Sequence, residues 1–432
     1  MTATFLFFPE AAFGPTNNCV GIGKVLIRRG HRVVFVVEES FAGTLAAQGF
    51  EERLVRLAPP PDTPEVPGQF WKDFVRDTSP TFRRPTIEAL EGFIRPTFEA
   101  LCDGARYVDR RLAEVLDEVD PDVVIEDNVV SFPAILASGR RWVRMMSCNP
   151  LELPDPALPP VFSGYPTEDR AQWEEFREES QRVLGQLHAE FDQTCRELGA
   201  PGLRAGEFIH RSEWLNFSLF PSELDYPRSE PLPASWHGLQ ASVRDATDDW
   251  MVPSEFGDPA LPLVYFSLGS LGSADLPLMR QLVDALAQTR CRVIVSKGPL
   301  HDQLELPDTM IGAEYLPQIS VLPIVDAVIT HGGNNTVTEC LYFGKPMVVL
   351  PLFWDQPDNA QRIAETGYGV RLRTYEAGAA ELSTALDTVL TSQEMSARLT
   401  ALSRRLQSAP GTARAADLLE SLLPPDQRKS DR

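Results

Sequence analysis

The chain alternates short, continuously apolar runs with longer stretches in which apolar and polar positions recur at helical spacing. Residues 4–8 (TFLFF), 32–37 (RVVFVV), 122–125 (DVVI) and 142–146 (WVRMM) read as strands. Runs of β-branched and aromatic residues without polar alternation imply a parallel sheet covered on both faces. Helices are expected at 18–29, from Ser40 onward, at 87–119 and at 168–198. A polar, acidic stretch at 243–258 separates this half from a second series of strands: 263–268 (LVYFSL), 292–296 (RVIVS), 327–330 (AVIT) and 347–350 (MVVL). Residues 412–423 form a last amphipathic helix, and the charged residues after Pro424 are expected to fray. The Pro-rich stretches 59–85 and 153–166 read either as pocket-lining loops or as crossover connections.

The pattern therefore predicts an α/β chain of two successive Rossmann-like units. Ligands bind such sheets at the carboxyl ends of the strands, at the point where strand order reverses. A length of 432 residues and an apolar share of 43% are enough for two cores.

Composition removes several functions. A net charge of −21 leaves no basic footprint for nucleic acid or an anionic membrane surface. The acidity is compatible with a cationic acceptor, and serves solubility equally well. Six cysteines stand far apart with no C-x-x-C pair, which favours reduced thiols over disulfides or zinc. The N-terminus has no basic region ahead of its short apolar run, and no stretch of about twenty apolar residues occurs, so a cytoplasmic protein is expected.

The densest chemical signal runs from Tyr315 to Gln356: YLPQISVLPIVDAVITHGGNNTVTECLYFGKPMVVLPLFWDQ. His331-Gly332-Gly333 follows one strand and opens a helix near Asn334. Glycines let backbone approach an anion, and the free N–H groups of Asn335 and Thr336 at a helix N-terminus suit a diphosphate. Thr336 adds a hydroxyl, and His331 a hydrogen bond or a charge. Glu339, one turn on, is placed to accept ribose hydroxyls, while Asp355 and Gln356 at the next strand edge suit sugar hydroxyls. Singly, each has a plainer reading: H-G-G as a tight turn, Glu339 as a solvated helix residue, Asp355 as a helix cap. Their joint order is what carries the signal.

This segment closely resembles the donor-binding signature of the UDP-glycosyltransferases, the inverting family of the GT-B fold, and most of all the bacterial macrolide-type natural-product branch. The resemblance implies two facing Rossmann-like domains with a deep interdomain cleft and a C-terminal helix crossing back to the first. It divides the chain into 1–242 for the acceptor, a linker 243–258, 259–408 for the sugar nucleotide, and 409–432 for the returning helix and tail. By resemblance His331, Gly333, Asn335 and Thr336 line the diphosphate, with Ser270 of SLGS near it. Glu339 holds the ribose, Gln318 and its neighbourhood read the base, and Asp355 and Gln356 hold the hexose. Tyr315 stands where the family has a base-stacking tryptophan; an aromatic face remains, with less discrimination between uracil and thymine. No metal or cofactor is implied beyond the nucleotide sugar itself, UDP-glucose first, then UDP-N-acetylglucosamine or a TDP-sugar.

The first half departs from the family. Counting back from Arg29-Gly30-His31, the family's catalytic histidine falls on Pro15, which cannot take a proton. The family's partner aspartate corresponds to Asp127. Three explanations compete. The acceptor is an amine or another nucleophile needing no base; another group serves, namely Asp127, Glu126 or a water held by Asn17 or Asn18; or the protein only binds. Thr16 and Asn17 belong to this acceptor-side loop, and Asn17 and Asn18 read first as N-caps of the following helix and only second as catalytic groups. The expected function is inverting hexosyl transfer to a small natural product such as an antibiotic. The alternatives are a non-catalytic sugar-nucleotide-binding homologue assisting another transferase and, less consistent with the motif, an epimerase.

Overall fold

The computed structural model describes residues 2–60, 69–246 and 250–424. Its strands are β1 (Thr4–Pro9), β2 (Arg32–Glu38), β3 (Glu51–Val55), β4 (Val123–Asp127), β5 (Trp142–Met146), β6 (Leu215–Ser218), β7 (Trp236–Gly238), β8 (Leu263–Ser267), β9 (Arg292–Ser296), β10 (Met310–Ala313), β11 (Ala327–Thr330), β12 (Met347–Val349) and β13 (Gly369–Arg371). They form two wholly parallel sheets, ordered 3-2-1-4-5-6-7 and 10-9-8-11-12-13. Order reverses between β1 and β4 in the first sheet and between β8 and β11 in the second. These are the two places where a ligand is expected.

Side-chain alternation along β1 explains the layering. Phe5 and Phe7 face the first helix, Phe13–Arg28, while Leu6 and Phe8 face the long helix Arg95–Val119. The second sheet has its own core around Tyr265, Phe266, Ile294 and Ile329. The C-terminal helix Gly411–Ser421 returns to the first domain, where Ala415, Ala416 and Leu419 complete the core beside the first helix. Glu420 locks that return through Arg29 at 2.7 Å and His31 Nε2 at 2.7 Å. The facing Rossmann-like domains and the returning helix agree with the expected fold.

Four local expectations need correction. The first helix begins at Phe13 and not near Asn18, so Asn17 and Asn18 lie inside it and are not its caps; the N-cap is Ala12, with no side-chain bond. Proline is tolerated in a first helical turn because its missing N–H would have no intrahelical partner, which accommodates Pro15. After Ser40 there are only two short 3₁₀ turns, Glu39–Phe41 and Ala46–Gln48, followed by the edge strand β3, whose polar EERLV hid it. The helix expected over 87–119 contains a π-turn at Leu90–Ile94, where Gly92 passes Thr81 so closely that a Cβ would meet its Cγ2 at 2.6 Å. The first Pro-rich stretch includes a helix, Gln69–Thr78, lying against the one-turn helix Gly269–Gly272. Residues 61–68 of that stretch, and the tail after Pro424, lie outside the described residues.

Candidate donor and acceptor site

At the switch point of the second sheet, β11 ends at Thr330, and His331-Gly332-Gly333 leads into the helix Asn334–Tyr342. Gly332 has φ +87°, a conformation that favours glycine, and a Cβ there would strike Val349 at 2.8 Å. The His331 ring is flanked by two glycines: a Cβ at Gly269 would lie 2.7 Å from Nε2 and one at Gly333 2.6 Å. Burial pushes the imidazole down to about 4, against a bond to the Ser267 carbonyl that acts the other way. In this state the ring is a neutral hydrogen-bonding group and not the charge that the sequence left open. The helix N-cap is Gly333, without a side-chain cap, so the first-turn N–H groups of Asn335 and Thr336 are uncapped. Buried Oδ1 atoms of Asn334 and Asn335 have no protein partner among the described residues.

The other donor-side residues gather around this nest. Glu339 is buried and accepts from Arg244 Nη1 at 2.7 Å, from Asn335 Nδ2 at 3.0 Å and from Gln318 Nε2. It is not a solvated helix residue. Gln318 is thus turned toward Glu339 and, at 3.4 Å, toward Thr336 Oγ1. Asp355 is the N-cap of the helix Gln356–Thr366 but makes no capping bond. Its Oδ2 accepts instead from Asn149 N at 3.0 Å, across the domain boundary, and from Asn359 Nδ2 at 3.3 Å. Burial pushes this carboxyl up to about 6. Gln356 Oε1 accepts from Leu352 N at 3.0 Å and Phe353 N at 3.2 Å, pinning the loop before it. Ser270 lies in the one-turn helix Gly269–Gly272, since β8 ends at Ser267. Tyr315 is 51% exposed and tilts toward the equally open Phe13 of the first domain, ring centroids 6.0 Å apart.

The first helix faces this nest end to end. A Cβ on Gly14 would stand 3.5 Å from Asn335 Cβ, which places the start of the first helix, with Pro15, against the second domain. Asp127 ends β4 at the first sheet's switch point, buried beneath that helix. Its carboxylate accepts from Ser147 Oγ, which in turn accepts from Asn18 Nδ2 at 3.2 Å. Burial raises Asp127 to about 7. Glu126 is sealed away: it accepts from fully buried Arg144 at 3.0 Å and from Phe132 N at 3.2 Å.

Sequence reasoning did not find Arg244, Asn149 or Asn334, whose Nδ2 donates to the Ser147 carbonyl at 2.6 Å. Each acts across the domain boundary, and no local pattern announces that. Glu10 was also missed, although an acidic residue directly after the first core strand was a legible signal.

Two parallel Rossmann-like domains facing across a cleft, with a diphosphate-type nest on one side, define the GT-B class of transferases. The family model described as "UDP-glucoronosyl and UDP-glucosyl transferase" matches residues 193–410, and the chain belongs to this family. It is a nucleotide-sugar-dependent glycosyltransferase. Oleandomycin glycosyltransferase of Streptomyces antibioticus is 26% identical over 430 residues, covering 98% of this chain and 91% of that protein. Vancomycin aglycone glucosyltransferase of Amycolatopsis orientalis is 32% identical over 294 residues, 62% of this chain and 66% of that one. Among solved structures, the glycotransferase of kitacinnamycin superposes with TM-score 0.71 at 24% identity, covering 98% of this chain and 100% of the other. A spinosyn rhamnosyltransferase complexed with thymidine diphosphate gives TM-score 0.62 at 19% identity, covering 97% and 100%. At these identities the structures speak for the fold. No helix among the described residues is long and apolar enough to cross a membrane.

Proposed function

We propose that this protein transfers a hexose, with inversion at the anomeric carbon, from a nucleoside diphosphate sugar to a small natural-product acceptor. The observation that carries the reading is the uncapped nest at the second switch point, with the His331 ring seated between Gly269 and Gly333. Residues 259–408 take the donor, 1–242 the acceptor, and 243–258 link them. The Asn335 and Thr336 amides and His331 receive the diphosphate, and Ser270 lies beside it. Glu339 exchanges protein donors for ribose hydroxyls, and Gln318 and Tyr315 border the base. Asp355, through its second oxygen, and the Gln356 amide nitrogen hold the hexose. As the acceptor attacks, the bond from the anomeric carbon to the diphosphate oxygen breaks and its electron pair leaves with the nucleotide. The helix N-terminus stabilises that charge, the step where an enzyme of this kind gains most. The nest takes the role that a cation has elsewhere, so turnover is proposed to persist in chelator.

UDP-glucose leads as donor, in line with the family description, and a TDP-sugar follows. The natural-product acceptor rests on relatives named for oleandomycin and for vancomycin aglycone. The test is incubation with UDP-glucose or TDP-glucose and a panel of macrolide, phenolic and amine acceptors. Formation of a β-glycoside from the α-linked donor supports the reading. Retention of configuration, or a free epimerised sugar, contradicts it.

A further inference from the structure

Pro15 leaves the family's base position without a titratable group. The first sheet nevertheless brings another carboxylate to the same switch point. Glu10 follows β1 directly, its N–H donating to the Asp127 carbonyl at 2.7 Å, so it sits at the carboxyl edge between β1 and β4. Its side chain is partly exposed, unlike Asp127 and Glu126. One oxygen accepts from Ala11 N at 3.3 Å and the other from Val129 N at 3.5 Å. Among the described residues no lysine or arginine pairs with it.

Strand parity sets Asp127 apart from Glu126 and Glu10. Asp127 lies on the first-helix face of the sheet, where Ser147 and Asn18 occupy it. Glu10 shares its parity with Phe8 and accepts from Val129 N, and Val129 borders the apolar cluster on the opposite face that includes Phe8, Phe98 and Phe162. That face touches the donor domain next to Asp355: the Phe162 and Trp354 rings meet across the boundary at a tilt of 46°, centroids 4.7 Å apart. The carboxyl edge between β1 and β4 thus carries a half-buried carboxylate without a cationic partner among the described residues, on the side of the first sheet whose apolar cluster extends to Phe353 and Trp354 of the donor domain.

We propose that Glu10 is the general base of the transfer, taking the role that Pro15 cannot; this rests on the transferase reading above. The acceptor X–H gives its proton to the Glu10 carboxylate as X bonds to the anomeric carbon. The nucleoside diphosphate leaves with the electron pair of the broken C–O bond, and Glu10 later releases the proton to solvent. Asp127 and Glu126 of β4 are the titratable groups facing Glu10, with Arg144 of β5 held by Glu126. The adjoining first turn of the helix (Phe13-Gly14-Pro15-Thr16) adds none, and neither does Asn335 opposite it. Burial raises Glu10 from its ordinary value, against the Val129 and Ala11 amides that lower it, which is the direction a general base needs. Taking up a proton also relieves its repulsion with Asp127.

The test compares wild type with Glu10→Gln, Glu10→Asp and Asp127→Asn, using whichever of UDP-glucose and TDP-glucose the wild type turns over. The acceptor probes are 2-phenylethanol, which needs a base, and 4-chlorothiophenol, which ionises readily by itself. Glu10→Gln is expected to lose about 10²–10⁴-fold in kcat with the alcohol and within about fivefold with the thiol. The acid limb of its kcat/KM profile should vanish, nucleotide affinity should stay within about twofold, and Glu10→Asp should recover part of the rate. An equal loss with both acceptors, which a structural role gives, overturns the proposal. So does an unimpaired Glu10→Gln, or an acid limb that persists in Glu10→Gln and vanishes in Asp127→Asn. A wild type that neither binds a nucleotide nor transfers a sugar overturns the transferase reading beneath it.

Discussion

The imidazole of His331 rests directly on Gly333, where a Cβ would stand 2.6 Å from Nε2. Gly269 encloses the ring in the same way and also has φ +72°. Gly333→Ala or Gly269→Ala must therefore move the ring out of the nest, weakening nucleotide binding by at least about tenfold, or about 1.4 kcal/mol. Gly14→Ala is the control. Its new Cβ meets Asn335 at 3.5 Å, an ordinary contact, and affinity should hold within about twofold. Calorimetric titration of the three variants checks the contrast.

A neutral His331 makes a separate claim about protonation. Burial holds its pKa near 4, so at neutral pH the free protein presents an uncharged ring. A diphosphate placed against the ring opposes that effect and raises the pKa. Proton NMR of the imidazole should show titration well below the usual histidine range in the free protein and an upward shift on adding UDP. A ring already charged at neutral pH without ligand would contradict the geometry.

Glu339 tests how the ribose is read. Its carboxylate has Arg244, Asn335 and Gln318 as donors, which fix its orientation. Glu339→Gln should weaken UDP by roughly tenfold or more, because one of the two acceptor oxygens becomes an amide donor and the charge is lost. TDP, whose deoxyribose has one hydroxyl fewer, should lose less. Equal losses for both nucleotides would place the ribose elsewhere.

Asp127 has a stability signature. Its carboxyl is raised by burial from 3.8 to about 7 in the folded protein, so the native state keeps a proton that the unfolded chain releases. Wild-type stability from this group is therefore largest at low pH, falls as pH rises from about 4 to about 7, and is flat above. Asp127→Asn removes that slope. Its stability relative to wild type should rise by up to a few kcal/mol between about pH 5 and about pH 8, read by denaturant unfolding at each pH.

Legibility in the sequence followed locality. β9 and β11 were read to the residue, because each is a continuous apolar run bounded by turns, and the H-G-G nest was read because strand, glycines and helix are contiguous. β3 escaped because it is a polar edge strand, and the first helix start escaped because glycine and proline in its first turn imitate a loop. Glu339 and Asp355 were identified as site residues, but their partners Arg244 and Asn149 lie 95 and 206 positions away, and only the folded domain boundary joins them. Asn17 resembles a cap only because Gly14 and Pro15 disguise the helical turn before it, and Glu10, one residue past β1, belongs to no motif.

The central claim is that the second domain binds a nucleoside diphosphate sugar through the His331 nest. Calorimetric titration with UDP, UDP-glucose and TDP-glucose, repeated on His331→Ala, tests it most directly. The account predicts saturable binding at one site for at least one of these ligands, lost or weakened by tenfold or more in the variant. Absence of binding by the folded wild type, or affinity unchanged in His331→Ala, would contradict it.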